Sequence, residues 1–279
     1  MSVAIKSPSA EDLVTRDKVA ASIGYGSLIG LLAGLVGLGG AEERMPFILY
    51  YLRLSLDEMI MANLLISFAT SGFNLTVRIQ SGVWSGTAAY VSLAMIIGSI
   101  PGAYAGASLS HRVSQRTLKG FISILLSFVI VRVVYGLLFG GASSQTGVST
   151  TDLVFSVLGG FGVGIVSGST GVAGGEYRIP ALTYLIGLPL KIAGTASQVV
   201  SLPTIAVAVW KHKRVGLLTK RSLTTATILG IPSVFGAVLT GFLVAGLATF
   251  YIEIVFIIIL AYTIVRLLAE VTRSPLSHS

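Results

Sequence analysis

The 279-residue sequence contains no cysteine and few charged residues. Without cysteine the chain can form no disulfide, hold no metal through thiolates and run no thiol relay. Charged residues make up 11% of the chain, whereas soluble domains hold roughly 25%. A soluble chain of this length could not cover its surface with so few charges. The apolar content of 53% and the mean hydropathy of +0.88 therefore predict an all-α integral membrane protein.

Catalytic groups are also scarce. The three histidines, His111, His212 and His278, fall in predicted loops or in the C-terminal tail. No serine has a base at a recognisable spacing, so nothing in the sequence predicts an enzyme, a metal site or a cofactor. The net charge of +8 comes from short loops and the N-terminal tail. We read this as a signal of membrane topology and expect no nucleic-acid partner.

The apolar segments have two lengths. They lie near residues 20–36, 45–54, 58–77, 85–109, 117–139, 153–170, 179–189, 192–210, 222–246 and 250–269. Most have the roughly 20 residues that a helix needs to cross a bilayer. The segments 45–54 and 179–189 have about half that length, and each follows a glycine-rich break. They are predicted to be half-helices.

A duplicated motif connects these half-helices. Gly37–Pro46 reads GLGGAEERMP and Gly171–Pro180 reads GVAGGEYRIP, with 134 residues between their starts. The same offset aligns many other glycines along the chain. Matching apolar residues would mean little in so apolar a chain, but matching Gly, Glu, Arg and Pro indicate a duplication. The chain is therefore predicted to hold two repeats of five segments.

The loop charges predict that the repeats are inverted. Basic residues crowd the predicted loops 110–119 in the first half and 211–221 in the second. Of the equivalent loops, 78–84 holds only Arg78 and 246–249 holds no basic residue. If basic loops are cytoplasmic, equivalent loops lie on opposite sides. Both termini are then cytoplasmic. The predicted regions are an N-terminal tail 1–19, a first membrane repeat 20–139, an external linker 140–152, a second membrane repeat 153–270 and a C-terminal tail 271–279.

Each half-helix can be one of two short segments that cross the membrane, or it can turn back as part of a re-entrant hairpin. We favour hairpins, because a half-length helix cannot span the bilayer. Inversion then sends one hairpin in from each face, and the glycine-rich tips meet near the midplane. This arrangement is typical of secondary transporters.

The motif places charge where charge is costly. Glu42, Arg44, Glu176 and Arg178 would each cost at least about 2.5–3.5 kcal/mol unpaired at mid-depth. We expect each Glu in the unwound tip and each Arg in the first turn of its half-helix. Pro46 and Pro180 are expected in that first turn too, where a missing N–H costs nothing.

The start of each half-helix is predicted to bind an anion. Free N–H groups and the positive end of the helix dipole favour negative charge there. The backbone of Gly39, Gly40, Gly174 and Gly175 would contribute, and Arg44 and Arg178 would add their guanidinium groups. A planar guanidinium suits an oxyanion with several acceptor oxygens.

Other roles for the motif remain open. Each Glu can pair with an Arg and only pin the tips, or it can orient the Arg and accept a proton. Glu43 has no counterpart, because Tyr177 occupies the equivalent position. A proton-carrying role is one interpretation of Glu43, but we expect it to face water at the tip. Arg266 lies late in its segment and is read as a snorkelling anchor.

Polar residues follow the motif at helical spacing. Asn63 and its counterpart Ser197, with Gln198, are candidates to line the pathway. The same residues could equally form hydrogen bonds between helices.

These motifs resemble the TauE/SafE family over about residues 20–270. The resemblance rests on the doubled glycine-rich motif ending in Pro, the run Lys191–Gln198 and the basic stretch Lys211–Arg214. It implies transport of sulfite or small organosulfonates, usually export across the bacterial inner membrane driven by the proton gradient. The chain departs from the family in its charged motif residues and in Ala41 and Ala173, where glycine is common.

The resulting interpretation is a transporter of a small anion, embedded in membrane lipid, with a homodimer left open. One alternative is a carrier of another solute, including a cation held by Glu42 and Glu176. Another is a membrane assembly component that transports nothing.

Cysteine labelling tests the predicted topology. In this cysteine-free chain, Gln145→Cys should react with an impermeant thiol reagent in intact cells, because residue 145 lies in the predicted external linker. Val215→Cys should react only after permeabilisation. The reverse pattern would refute the inverted arrangement.

Overall fold

The computed structural model describes residues 11–109, 148–170 and 174–272, with positions 127, 130, 131, 134 and 135. Every regular element in these residues is helical. Seven helices are long and apolar enough to cross a membrane, which confirms the predicted class. They are α1 (Arg16–Val36), α3 (Leu56–Gln80), α4 (Gly86–Leu109), α5 (Thr150–Thr170), α7 (Leu190–Arg214), α8 (Lys220–Leu243) and α9 (Thr249–Thr272). A short 3-10 turn, Glu11–Leu13, precedes α1.

Two short helices follow the glycine-rich breaks. Helix α2 (Ala41–Pro46) continues as a π turn, Phe47–Tyr51. Helix α6 (Gly175–Pro180) continues as a π turn, Ala181–Leu185. At roughly 1.5 Å per residue each segment is about 16 Å long, half of the roughly 30 Å hydrocarbon core. The predicted half-helices are confirmed, although they begin a few residues earlier than expected.

The element boundaries repeat with the sequence. Helices α1 to α4 and the first π turn have counterparts in α5 to α8 and the second π turn, each displaced by 134 residues. The duplication is therefore visible in the structure. The predicted segment 117–139, the loop 110–119, residues 140–147 of the linker and most of both tails lie outside the described residues.

The two halves pack reciprocally. Helix α1 lies against α8, and its counterpart α5 lies against α4. Glycines let these backbones approach closely: a Cβ on Gly26 would lie 2.6 Å from the carbonyl oxygen of Leu229, and one on Gly164 would lie 2.5 Å from that of Ser99. Close approach through small residues is how helices associate in lipid.

Equivalent helices α3 and α7 run in opposite directions. Arg78, near the end of α3, donates to Thr195 Oγ1 and to the carbonyl of Lys191, both near the start of α7. Earlier in α3, Gly72 lies against Leu202, which is later in α7. The contacts therefore advance along one helix as they retreat along the other.

Each hairpin packs its apolar side into its own buried cluster. Ile48 and Leu52 lie in one cluster with Met59. Ile179 and Leu182 lie in the other, with Leu38. The chain then turns into α3 through a capping box, in which Ser55 and Glu58 exchange side-chain and backbone hydrogen bonds.

Two residues predicted in loops are buried in helices instead. Arg78 lies in α3 with no exposed surface, and His212 lies in α7 with 2% exposed. Arg78 Nη1 donates to the carbonyl of Gly34 over 3.0 Å, and His212 Nε2 lies 3.3 Å from that of Gly168. These contacts are equivalent across the 134-residue offset. The helices run past the apolar stretch because the ends of α1 and α5 supply polar partners.

A pair of glycines two residues apart tests the helix packing. Gly26→Ala should lower stability by about 1–3 kcal/mol, because its Cβ would collide with α8. Gly24→Ala should be neutral or slightly stabilising, since nothing lies within 4 Å of its Cβ position and Ala favours a helix. Thermal unfolding of both variants in detergent measures the difference. Equal melting temperatures would refute the close α1–α8 contact.

Candidate functional site

The two hairpin tips touch. Gly40 and Gly174 precede the half-helices in the left-handed region, at φ 68° and 75°, which glycine adopts without strain. Tyr177 Oη donates to Glu42 Oε1 over 2.9 Å, and Gly175 lies against the carbonyl of Leu38. The predicted contact between the tips is confirmed, and its depth near the midplane stays a prediction.

Arg44 is held by neutral groups. Its Nε donates to Asn63 Oδ1 over 3.2 Å, and its Nη2 donates to Ser67 Oγ and to the carbonyl of Gly39, each over 2.7 Å. Asn63 in turn donates to the carbonyl of Ala41 over 2.9 Å. Arg44 is completely buried, and its Nη1 has no hydrogen-bond partner among the described residues. The tip, the half-helix and α3 are thus tied together around a guanidinium with one open donor group.

Arg178 occupies the equivalent place in the second repeat. Its Nη1 donates to Ser201 Oγ over 2.6 Å and to the carbonyl of Ser197 over 2.9 Å. Ser201 is the counterpart of Ser67, as Ser197 is of Asn63. Both motif arginines are therefore fastened to the next long helix through a serine hydroxyl. The sequence could have identified Ser67 and Ser201 as these partners, because the repeat aligns them.

The described hydrogen bonds of Glu42 do not include Arg44, so the open role of orienting that arginine does not fit Glu42. Its carboxylate pairs with Arg266, Nη2 to Oε2 at 2.9 Å, and accepts from Tyr177. Arg266 Nη1 also donates to the backbone carbonyl of Glu42. Arg266 is thus no snorkelling anchor: it reaches from α9 to the first hairpin.

Proline explains this contact. The expectation that Pro46 and Pro180 lie in the first turn is wrong. Each proline ends the α-helical part of its half-helix. Because Pro46 lacks an N–H, the carbonyl of Glu42, four residues earlier, receives no helical hydrogen bond. Arg266 supplies the missing donor. Glu42 itself lies in the first turn rather than in the unwound tip.

Two other carboxyl groups are buried without hydrogen bonds. Glu43 is 5% exposed and Glu176 has no exposed surface, so the prediction that Glu43 faces water is wrong. Neither carboxyl oxygen of either residue has a hydrogen-bond partner within the described part of the chain. Glu176 interacts electrostatically with Glu43, Glu42 and Arg44.

We call the six charged residues at the tips the central cluster: Glu42, Glu43, Arg44, Glu176, Arg178 and Arg266. Gln198, which is 1% exposed, follows Ser197, whose carbonyl accepts a hydrogen bond from Arg178. Both amide atoms of Gln198 and the hydroxyl of Ser197 also lack hydrogen-bond partners among the described residues. Buried polar atoms without partners are rare and call for an explanation such as water or a ligand. Hydrogen-bond donors and acceptors of the cluster are therefore left for water or a ligand to engage.

A double-mutant cycle tests the contact between Glu42 and Arg266. Glu42→Gln and Arg266→Gln should each destabilise the protein, because each leaves a buried charge without its partner. The double variant should lose less than the sum of the two, with a coupling of about 0.5–3 kcal/mol. Thermal unfolding in detergent gives the three differences. Additive effects would mean that the pair does not form.

Comparison with known proteins agrees with the motif resemblance. The profile of the family described as sulfite exporter TauE/SafE matches residues 2–133 and 156–278. A protein of Haemophilus influenzae described as a probable membrane transporter protein is 26% identical over 167 residues, covering 57% of this chain and 60% of that relative. No solved structure matches the chain. With its seven apolar helices and a family match over most of its length, this multi-pass membrane protein belongs to the sulfite exporter TauE/SafE family.

Proposed function

We propose that the protein is a secondary transporter that moves a small sulfur-containing anion, sulfite or an organosulfonate, across the bacterial inner membrane. Export is the direction that we propose from the family description, and we propose that it is coupled to the proton gradient. The observation that carries the proposal is the pair of buried arginines, Arg44 and Arg178, at two touching hairpin tips.

The partners of Arg44 favour an anionic substrate. Its hydrogen bonds go to an amide, a hydroxyl and a carbonyl, so no contacting group neutralises its charge. A buried charge is costly unless it is paired. An oxyanion can supply the opposite charge and accept from Nη1, which has no partner within the described residues. Charge-assisted hydrogen bonds of this kind are among the strongest in proteins.

An inverted topology fits the same site. The opposite directions of α3 and α7 and the reversed basic loops support two repeats that enter from opposite faces, with both termini cytoplasmic. Each hairpin would then open towards its own side, and a substrate between the tips would be reached from either side in turn. Five members of the central cluster are at most 5% exposed, and the side chain of Arg266 is 11% exposed. We interpret this conformation as the closed one.

The unpartnered carboxyl groups favour a second candidate, a carrier of a small cation. Glu43 and Glu176 would then be the ligands. Arg44 disfavours this, because it is an electrostatic neighbour of both carboxyl groups and would repel a cation bound by them. The anion is the better proposal for that reason.

Transport by the purified protein in liposomes tests this function. The panel consists of sulfite, methanesulfonate, thiosulfate, sulfate and acetate, each under an imposed pH gradient, with sodium and potassium as the cation arm. We expect sulfite or methanesulfonate to be carried. Movement of a cation alone would favour the second candidate.

Removing either arginine should weaken the site. Arg44→Gln and Arg178→Gln should each reduce anion affinity at least about tenfold, since a charge-assisted hydrogen bond contributes about 1.5–3 kcal/mol and 1.4 kcal/mol is one decade. Arg214→Gln is the matched control, because Arg214 is exposed and lies over the Trp210 ring. Isothermal titration or substrate-dependent thermal shift measures the affinity.

The double variant Glu176→Gln with Arg178→Gln separates binding from folding, because it leaves neither charge without the other. Loss of anion binding in this folded variant would support the assignment. Normal transport by it would place the substrate site elsewhere.

A further inference from the structure

We propose that Glu43 and Glu176 share one proton that enters the central cluster together with the anion, so that both cross the membrane in the same direction. This inference rests on the proposed transport function. It assigns the coupling to two residues and sets its direction.

The three acids of the central cluster differ in their hydrogen bonds. Glu42 is fully engaged, with Arg266 on one carboxylate oxygen and Tyr177 on the other. Glu43 and Glu176 are equally buried, yet within the described residues their carboxyl oxygens receive no hydrogen bond. A buried carboxylate without donors is costly. A proton removes that cost, so these two carboxyl groups are suited to take up and release one.

Charged groups from several helices are electrostatic neighbours of the Glu43 and Glu176 carboxyl groups. Glu43 interacts with Glu42 and Arg44 of its own half-helix and with Arg266 of α9. Tyr25 of α1 donates to its backbone carbonyl over 2.6 Å.

Glu176 interacts with Glu43, Glu42 and Arg44 across the tips and with Arg178 of its own half-helix. It therefore has another acid, Glu43, as an electrostatic neighbour in the opposite hairpin. Two carboxyl groups that repel each other in a buried site tend to hold one proton between them.

The net charge of the central cluster favours uptake of a proton together with the anion. Its three carboxylates balance its three guanidinium groups, so the empty cluster is neutral with all acids ionised. A bound monoanion adds one negative charge in a region of low dielectric, where an uncompensated charge is expensive. One proton on the Glu43–Glu176 pair restores neutrality. The anion and the proton therefore stabilise each other in the closed conformation.

This coupling has a direction and a selectivity. The proton leaves with the anion, and transport of a monoanion is electroneutral. The concentration gradient of the anion then drives export, and an inward proton gradient opposes it. This sign is opposite to the one that the family resemblance implies, in which the proton gradient drives export. A dianion such as sulfate would leave one negative charge uncompensated, so it should be a poor substrate.

Methanesulfonate is a suitable probe, because it holds no proton of its own at neutral pH. Liposomes containing the full chain are assayed for exchange of labelled methanesulfonate at equal pH and for its accumulation under an inward proton gradient. For one proton per anion, the wild-type protein should accumulate the probe up to about tenfold per pH unit. Sulfite serves as the second probe in the exchange assay.

Two variants test the residues. Glu43→Gln and Glu176→Gln each make the cluster permanently one charge more positive, as protonation does. In each, accumulation driven by the pH gradient should be lost relative to the exchange that the variant retains. Net transport should become sensitive to membrane potential. Asp57→Asn, at an exposed position in the first turn of α3, should behave as wild type.

The outcomes are distinct. Accumulation driven by the pH gradient in both Gln variants would overturn the inference while leaving the proposed function standing, as would loss of exchange in both folded variants. If neither probe is exchanged by the wild-type protein, the proposed function itself fails. Where a variant does not fold, a pH dye inside wild-type liposomes decides: proton movement opposite to the methanesulfonate flux, or none, would also overturn the inference.

Discussion

The structure depends on satisfying backbone groups where helices break inside an apolar protein. Each unpaired carbonyl in a bilayer costs several kcal/mol, and buried arginines supply the donors here. Arg78 donates to the carbonyls of Gly34 and Leu35, where α1 ends. Arg266 donates to the carbonyl that Pro46 leaves without a partner. Arg44 donates to the carbonyl of Gly39 in the tip. The buried arginines are thus tied to the helix breaks that create the site.

Much of the fold could be predicted from the sequence, because its signals are local. The glycine runs, the short apolar segments and the 134-residue repeat identified the half-helices and their equivalence. The ends of α3 and α7 could not be found in this way. In the sequence, a charged residue marks the end of an apolar stretch. Arg78 and His212 nevertheless continue their helices, because carbonyl groups distant in sequence lie within hydrogen-bond distance of their side chains. The segment 117–139 stays a prediction.

The site was only partly predictable, for a related reason. The contact of Arg44 with Asn63 follows from two polar positions on consecutive elements of one repeat. The pairing of Glu42 with Arg266 joins residues far apart in sequence and depends on a carbonyl that only the position of Pro46 frees. Glu43 has Arg266 of α9 and Glu176 of the second half-helix as electrostatic neighbours, and both are distant in sequence. Neither follows from hydropathy or from the motif. The substrate roles of the site residues stay predictions.

The reciprocal helix packing imposes an order on biogenesis. Helix α4 and its partner α5 are near neighbours along the chain, so they can associate while the second repeat is still being synthesised. Helix α1 must wait, because Gly26 packs against Leu229, near the other end of the chain. Until α8 is inserted, the glycine face of α1 has only lipid or the insertion machinery beside it. A structure with two equivalent interfaces is therefore assembled asymmetrically, with the interface of the first helix among the last to close.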